Sequence, residues 1–147
     1  MIERPDQLVV DASIVGRWYL GNPPYVVEAD KVWQDYRADK IALVAPTNLR
    51  MEVAGAISRS LVQRTHPPEQ VRGLLSEFLT LELPLVGDSE LILEAHDLSV
   101  RLSASFFDSL YLALAQSLQI PFVHADRRLR DSLRGRFRWE LWIEEYS

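Results

Sequence analysis

The sequence predicts an α/β fold: a three-layer α/β/α sandwich with a central parallel sheet. Three observations predict it. Short apolar runs of strand length recur at "LVV", "IALVAP", "LELPLV" and "PFVHAD". Segments of helical periodicity separate them, and that alternation gives parallel strands joined by right-handed crossovers, with helices on both faces. No internal repeat, low-complexity tract or linker breaks the 147 residues, so one domain over 1–147 is expected.

Each element has its own reason. Leu8 to Asp11 is a short buried strand, and Asp11 and Ser13 are both N-cap residues for the "IVGRWYL" that follows. Gly21-Asn22-Pro23-Pro24 breaks that segment. Val26, Val27, Ala29, Val32, Trp33 and Tyr36 then recur at helical spacing between Tyr25 and Asp39. Ile41–Pro46 is a second strand. Thr47 or Asn48 caps a helix through Leu61, with Leu49, Val53, Ala54, Ile57 and Leu61 on one face. Pro67-Pro68 opens a helix with the stripe Val71, Leu74, Leu75, Phe78. Leu81–Val86 is a third strand near a sheet edge, because Pro84 cannot donate to a ladder. Asp88 or Ser89 caps a helix to about Leu102, and Ser105 caps another to about Leu118. Pro121–Asp126 is the fourth strand, Arg127–Leu133 a short helix that Gly135 can end, and "WELWIEEY" alternates like a last, half-exposed strand.

Composition narrows the function. With 48% hydrophobic and 25% charged residues the chain is ordinary for a soluble globular protein. The absence of cysteine excludes disulfides and thiolate zinc sites. "MIERPDQLVV" is neither a signal peptide nor a membrane anchor, so a cytoplasmic protein without a membrane partner is expected. A net charge of -5 argues against bulk electrostatic binding of nucleic acid. Yet Arg127, Arg128, Arg130, Arg134, Arg136 and Arg138 crowd one stretch. That cluster suits local phosphate contacts and, equally, a solvated helix face.

Open parallel sheets bind ligands beyond the C-terminal ends of their strands. Asp11 and Asp126 stand at two such ends. Each also suits a helix cap. Asp108 follows Ser105 by three residues in "SFFDSLYLALAQ", where a capping box and the helix dipole account for an acid. The setting is nonetheless apolar, and the first turn of a helix antiparallel to the strands lies at the sheet mouth. Glu52 sits between Met51 and Val53 near the start of the helix after the second strand, a place where an exposed glutamate is common. If Asp11, Glu52, Asp108 and Asp126 share one rim, their repulsion requires a cation. Oxygen-only donors suit Mg2+ or Mn2+, and carboxylate-held ions of that kind activate water against phosphodiesters.

Four blocks in order, "VVDAS", "APTNLRMEVAGAI", "ASFFDSLYLALA" and "PFVHADRRL", resemble the PIN-domain family, especially the VapC-type toxins of toxin–antitoxin pairs, over nearly the whole chain. The resemblance implies a Rossmann-like α/β/α sandwich and a Mg2+- or Mn2+-dependent ribonuclease acting on RNA. It implies Asp11, Glu52, Asp108 and Asp126 as the metal-binding and catalytic acids, with Ser13 as the small hydroxyl residue beside the first. Arg127, Arg128 and Arg130 follow Asp126 directly and are expected to meet flanking phosphates. His124 departs from the family pattern, which favours threonine or serine there; it is expected to bond an acid or touch substrate, or else to be a strand histidine satisfied by backbone. The resemblance further implies a homodimer and a cognate antitoxin. The antitoxin tail would lie in a groove between the Thr47–Leu61 and Pro67–Thr80 helices, lined by Trp18, Tyr19 and Leu20 unless these pack in the core.

Two rival chemistries fail on residues. A dehalogenase-type phosphotransferase wants a second aspartate where Ser13 stands, and a receiver domain wants a late lysine, whereas Lys31 and Lys40 are the only lysines. The rival from another class is a catalytically inactive PIN-like module that binds RNA or protein, needs no Mg2+ and tolerates Asp108→Asn.

Overall fold

Five short strands pair side by side, all parallel, in the order β3-β2-β1-β4-β5. They are β1 (Gln7–Val10), β2 (Ala42–Pro46), β3 (Leu85–Val86), β4 (Phe122–His124) and β5 (Glu140–Trp142). The helices are α1 (Ala12–Leu20), α2 (Val26–Arg37), α3 (Asn48–Val62), α4 (Pro68–Phe78), α5 (Ser89–Leu102), α6 (Phe106–Leu118) and α7 (Arg127–Leu133). This computed structural model describes residues 6–62 and 66–147, and side chains 61 and 62 lie outside the description, including Leu61 of the predicted α3 stripe.

The expected three-layer α/β/α sandwich is what forms. β1 is central: Leu8, Val9 and Val10 are wholly buried, since a strand covered by helices on both faces has no polar side to offer. Side chains of this kind each contribute about 1.5–3 kcal/mol by leaving water. α6 packs on β1, β2 and β4 and against α5, while α1 packs on β4, α2 and α3. Leu110 to Ala115 are accordingly buried without a break. Among the described residues no single helix is long and apolar enough to cross a membrane.

The chain fills one side of β1 with β2 and β3, then returns to the other side for β4 and β5. The direction of winding therefore reverses between β1 and β4. That switch point opens a crevice at the C-terminal ends of the two strands, just where Asp11 and Asp126 stand.

Three predicted strands are shorter than their patterns suggested, the fourth covering only Phe122–His124 of Pro121–Asp126. Only Leu85 and Val86 of the run Leu81–Val86 pair, at the edge. Leu81 N–H still donates to Phe78 O at 2.9 Å, and Tyr36 OH caps Glu82 O at 2.9 Å, so the run begins as the exit from α4. The final strand stops at Trp142 and turns into a 3-10 turn, Ile143–Glu145. Trp142 and Ile143 are both buried, which a strand with one wet face cannot do at consecutive positions. Beside the edge strand, a Cβ on Gly87 would stand 2.7 Å from both Cγ2 and Oγ1 of Thr47, so only glycine lets β3 close onto the entry of α3.

Candidate active site

Asp11 leaves β1 in extended conformation and caps α1. Ser13 N–H and Ser13 Oγ–H both donate to Asp11 Oδ2, at 3.1 and 2.5 Å. The same Ser13 Oγ accepts from Ala125 N–H at 2.9 Å. One hydroxyl thus locks the carboxylate and ties the ends of β1 and β4 together across the switch point. It also ends the β4 ladder, and Asp126 N–H turns back onto His124 Nδ1 at 3.2 Å.

Glu52 comes from the second turn of α3, with Asn48 Nδ2 donating to its Oε1 from one turn earlier. Asp108 is in the first turn of α6, and its N–H donates to Ser105 Oγ at 3.1 Å. The capping expected from sequence is present, and the acid has a further role: its charge is felt at Asp11 and Glu52. Burial pushes the Asp11 carboxyl up, with Asp108 adding to the rise and Ser13 opposing it. Burial likewise lifts Glu52 to about 7, reinforced by Asp11 and Asp108. Asp108 rises chiefly by burial as well, with Asp126 adding to it and Ser105 and Arg128 opposing. A helix N-terminus should lower a carboxyl, but that effect is worth only about 0.3–1 kcal/mol and burial outweighs it here.

Asp11, Glu52 and Asp108 therefore form one charge-coupled group. Asp126 stands at its margin: it faces Asp108 and Arg17 electrostatically, and its Oδ1 accepts from Leu129 N–H at 3.2 Å as the cap of α7. Among the described residues no three acidic or histidine side chains stand close enough together to hold one ion. The chemistry of the donors fits a hard divalent cation nonetheless. They are carboxylate oxygens only, and all three of the coupled acids rise by burial first, with a neighbouring acid adding to each rise.

His124 does not meet the expectation of touching substrate. It is wholly buried, its Nδ1 accepts from Asp126 N–H, and its Nε2 lies 2.8 Å from Glu140 Oε2. With Nδ1 occupied as an acceptor, Nε2 carries the proton that Glu140 receives. The acid it bonds is thus a fifth one, on β5. Its ring stacks on Phe122 at 5.2 Å, so it serves the strand and reaches the site only through the backbone of Asp126. Trp18 and Tyr19 are also spent inward: Trp18 Nε1–H donates to Ala29 O at 2.8 Å beside Trp33, and Tyr19 packs edge-on against Phe78. Leu20 lines a cavity of about 460 Å³ with Ala56 and Arg59 of α3, but α4 contributes no lining residue, so this is not the expected groove between the two helices.

Four site neighbours carried too weak a signal in the sequence. Asn48 read as a helix cap, although its spacing from Glu52 puts the two on one face. Tyr111 lay without a role in "SFFDSLYLALAQ"; its buried hydroxyl faces Glu52 and Asp11 without a well-formed hydrogen bond, and burial then these two charges push it up. Arg17 lay without a role in the segment "IVGRWYL", and Tyr25 opened a run of helical spacing. Arg127 and Arg128, predicted to meet phosphates, are exposed at the mouth of the cleft that Arg17 and Tyr25 wall.

A five-stranded parallel sheet with a switch point between β1 and β4, covered by helices, defines the class, an α/β domain open at the C-terminal ends of its strands. The PIN-domain family matches residues 8–132, and the chain belongs to that family. No curated protein matches it. Among solved structures it is similar to PAE2754 from Pyrobaculum aerophilum, with a TM-score of 0.64 and 18% identity over 94% of this chain and 90% of that one. It is also similar to a chain of a toxin–antitoxin complex from Klebsiella pneumoniae, with a TM-score of 0.61 and 18% identity over 91% and 95%. A third, at TM-score 0.61 and 15% identity over 85% and 94%, is Mycobacterium tuberculosis VapC20, a sarcin-ricin loop cleaving toxin.

Proposed function

We propose that the chain is a metal-dependent endoribonuclease that hydrolyses RNA phosphodiester bonds, acting in the cytoplasm as the toxin of a toxin–antitoxin pair. The observation that carries this reading is the charge coupling of Asp11, Glu52 and Asp108 at the switch point, in a chain of the PIN-domain family. The likeness to a chain of a toxin–antitoxin complex and to a toxin that cleaves RNA supports it at the level of the fold.

Asp11, Glu52 and Asp108 would hold Mg2+ or Mn2+, with Asp126 orienting or adding a ligand. When bound, the ion supplies activation of water and charge neutralisation at the phosphate. The chain's own residues do the rest. Ser13 fixes the Asp11 carboxylate, Asn48 fixes that of Glu52, and both are set before substrate arrives. Arg127 and Arg128 meet phosphates flanking the scissile one. No side chain need act as a covalent nucleophile. A cognate antitoxin would silence the site from the cavity beside Leu20, and the active form would be a homodimer.

One observation favours a second reading, an inactive PIN-like module that binds RNA or protein: the acids do not reach common-ion distance. Cleavage of a mixed pool of structured RNA separates the two. Wild type with Mg2+ should cut, wild type in EDTA should not, and Asp108→Asn should fall by at least about a hundredfold while remaining folded. Undiminished cutting by Asp108→Asn would refute the site. A folded wild type that binds the pool equally with and without Mg2+, and cuts none of it, is the module.

A further inference from the structure

Between α1 and α7, next to the acids, lies an open cleft of about 580 Å³ whose walls include Arg17, Tyr25, Asp126 and Arg127. Its cations are held in place by the chain itself. Arg17 Nε–H donates to Pro24 O at 2.7 Å and Nη1–H to Ser13 O at 2.6 Å, leaving Nη2 for an incoming oxygen. Its guanidinium lies over the Tyr25 ring, 5.9 Å from the centroid. On the other side Arg127 Nη2–H donates to Tyr25 OH at 2.9 Å while its guanidinium lies over Trp142 at 5.4 Å. Tyr25 itself packs edge-on against Trp142 at 5.2 Å.

Tyr25 thus touches both cations, and its backbone is unusual. It begins α2 at φ 72, ψ 23, in the left-handed region that aromatic residues rarely adopt. Such strain persists where the surroundings impose it and gathers at working sites. Neither Arg17 nor Arg127 makes an ion pair among the described residues. The next arginine along, Arg130, also lies over Trp142, at 4.8 Å, but Glu145 partners it at 3.4 Å. Arg17 and Arg127 are thus cations beside the acids that no carboxylate pairs directly, with Asp11 and Asp126 felt by Arg17 only at longer range.

We propose that this cleft is a phosphodiester-binding subsite. Arg17 and Arg127 grip the backbone of single-stranded RNA at the phosphate adjacent to the scissile one, and Tyr25 is the positioning residue for both. A stacked, pre-oriented guanidinium loses less freedom on meeting a phosphate than a loose one, and it matches two oxygens at once. The contacts are to backbone only, so the subsite anchors the strand and leaves the choice of sequence elsewhere. The proposal rests on reading the chain as a nuclease of RNA, but its test needs no cleavage.

The test is binding of a short, labelled, 2′-O-methylated single-stranded RNA in EDTA, titrated against salt. Each phosphate contact to a single strand contributes about 0.7 to the slope of log K against log salt. Arg127→Gln should lower the slope by about 0.7. Tyr25→Phe keeps the ring and removes the hydroxyl that holds Arg127, so it should weaken binding, and the double variant should be no weaker than Arg127→Gln alone. Arg72→Gln, at an exposed position of α4, should leave the slope unchanged. An unchanged slope in Arg127→Gln, or unweakened binding by Tyr25→Phe, would overturn the subsite, as would a wild type that ignores RNA and binds an acidic peptide through these arginines. A wild type that shows the slope loss yet never cleaves RNA with Mg2+ would remove the nuclease reading and leave the subsite standing.

Discussion

Glu52→Gln turns the electrostatics of the site into a stability measurement. In the metal-free protein the Glu52 carboxyl is lifted from an ordinary 4.5 to about 7, first by burial and then by Asp11 and Asp108. Between those two values the folded chain binds a proton that the unfolded chain has released. Stability contributed by the neutral acid is therefore present below about 4.5 and is lost as pH rises toward 7. At about 1.4 kcal/mol per pH unit the upper bound is about 3 kcal/mol. Glu52 is only half-buried, and solvent screening reduces this to about 1–2 kcal/mol. Glutamine removes the charge and keeps an oxygen for Asn48. Denaturant unfolding in EDTA should find Glu52→Gln more stable than wild type by about 1–2 kcal/mol at pH 8, with the gap closing toward pH 5. Excess Mg2+ should raise wild type and not the variant. A gap that is absent at pH 8, or that widens toward pH 5, would refute the coupling of the acids.

Three further outcomes follow from the packing. Ser13→Ala removes both the donor to Asp11 and the acceptor for Ala125 N–H; it should cost about 1–3 kcal/mol and raise the Asp11 carboxyl further, as read by NMR titration of the metal-free protein. Glu140→Ala strands the buried Nε2–H of His124 and should cost about 1–3 kcal/mol in urea unfolding, whereas Glu140→Gln keeps an acceptor and should cost clearly less. Gly87→Ala drives a methyl into Thr47 and should cost about 1–3 kcal/mol, and Thr47→Ala should recover part of that loss in a double-mutant cycle.

Much of the fold was legible because its signals are local. β1 is a run of three apolar residues that any covered central strand requires, and Ser105, Asp88 and Asp126 each cap the helix that the pattern assigned to them. The short edges were not legible. Leu81–Val86 and "WELWIEEY" carry strand-like composition, but pairing is a property of neighbours, and α4 and the buried pair Trp142–Ile143 claim those residues first. His124 shows the same limit at the site. Its position beside Asp126 suggested chemistry, yet its Nε2–H donates to Glu140, sixteen residues later in the chain.

By itself the sequence determined the residue types of a carboxylate centre, the order of its blocks and the alternation that makes a parallel sheet. These depend on spacing along the chain, which periodicity and caps record directly. Tertiary structure alone decided the reversal of winding between β1 and β4, which sets Asp11 and Asp126 at one crevice. It also decided that the charge of Asp108 reaches Asp11 and Glu52 while Asp126 caps α7 at the margin of the group, and that Tyr25 stands between Arg17 and Arg127. Burial and charge act through space, across separations along the chain that no local pattern encodes. Their combined effect, a group of acids held above their ordinary values, exists only once the elements are packed.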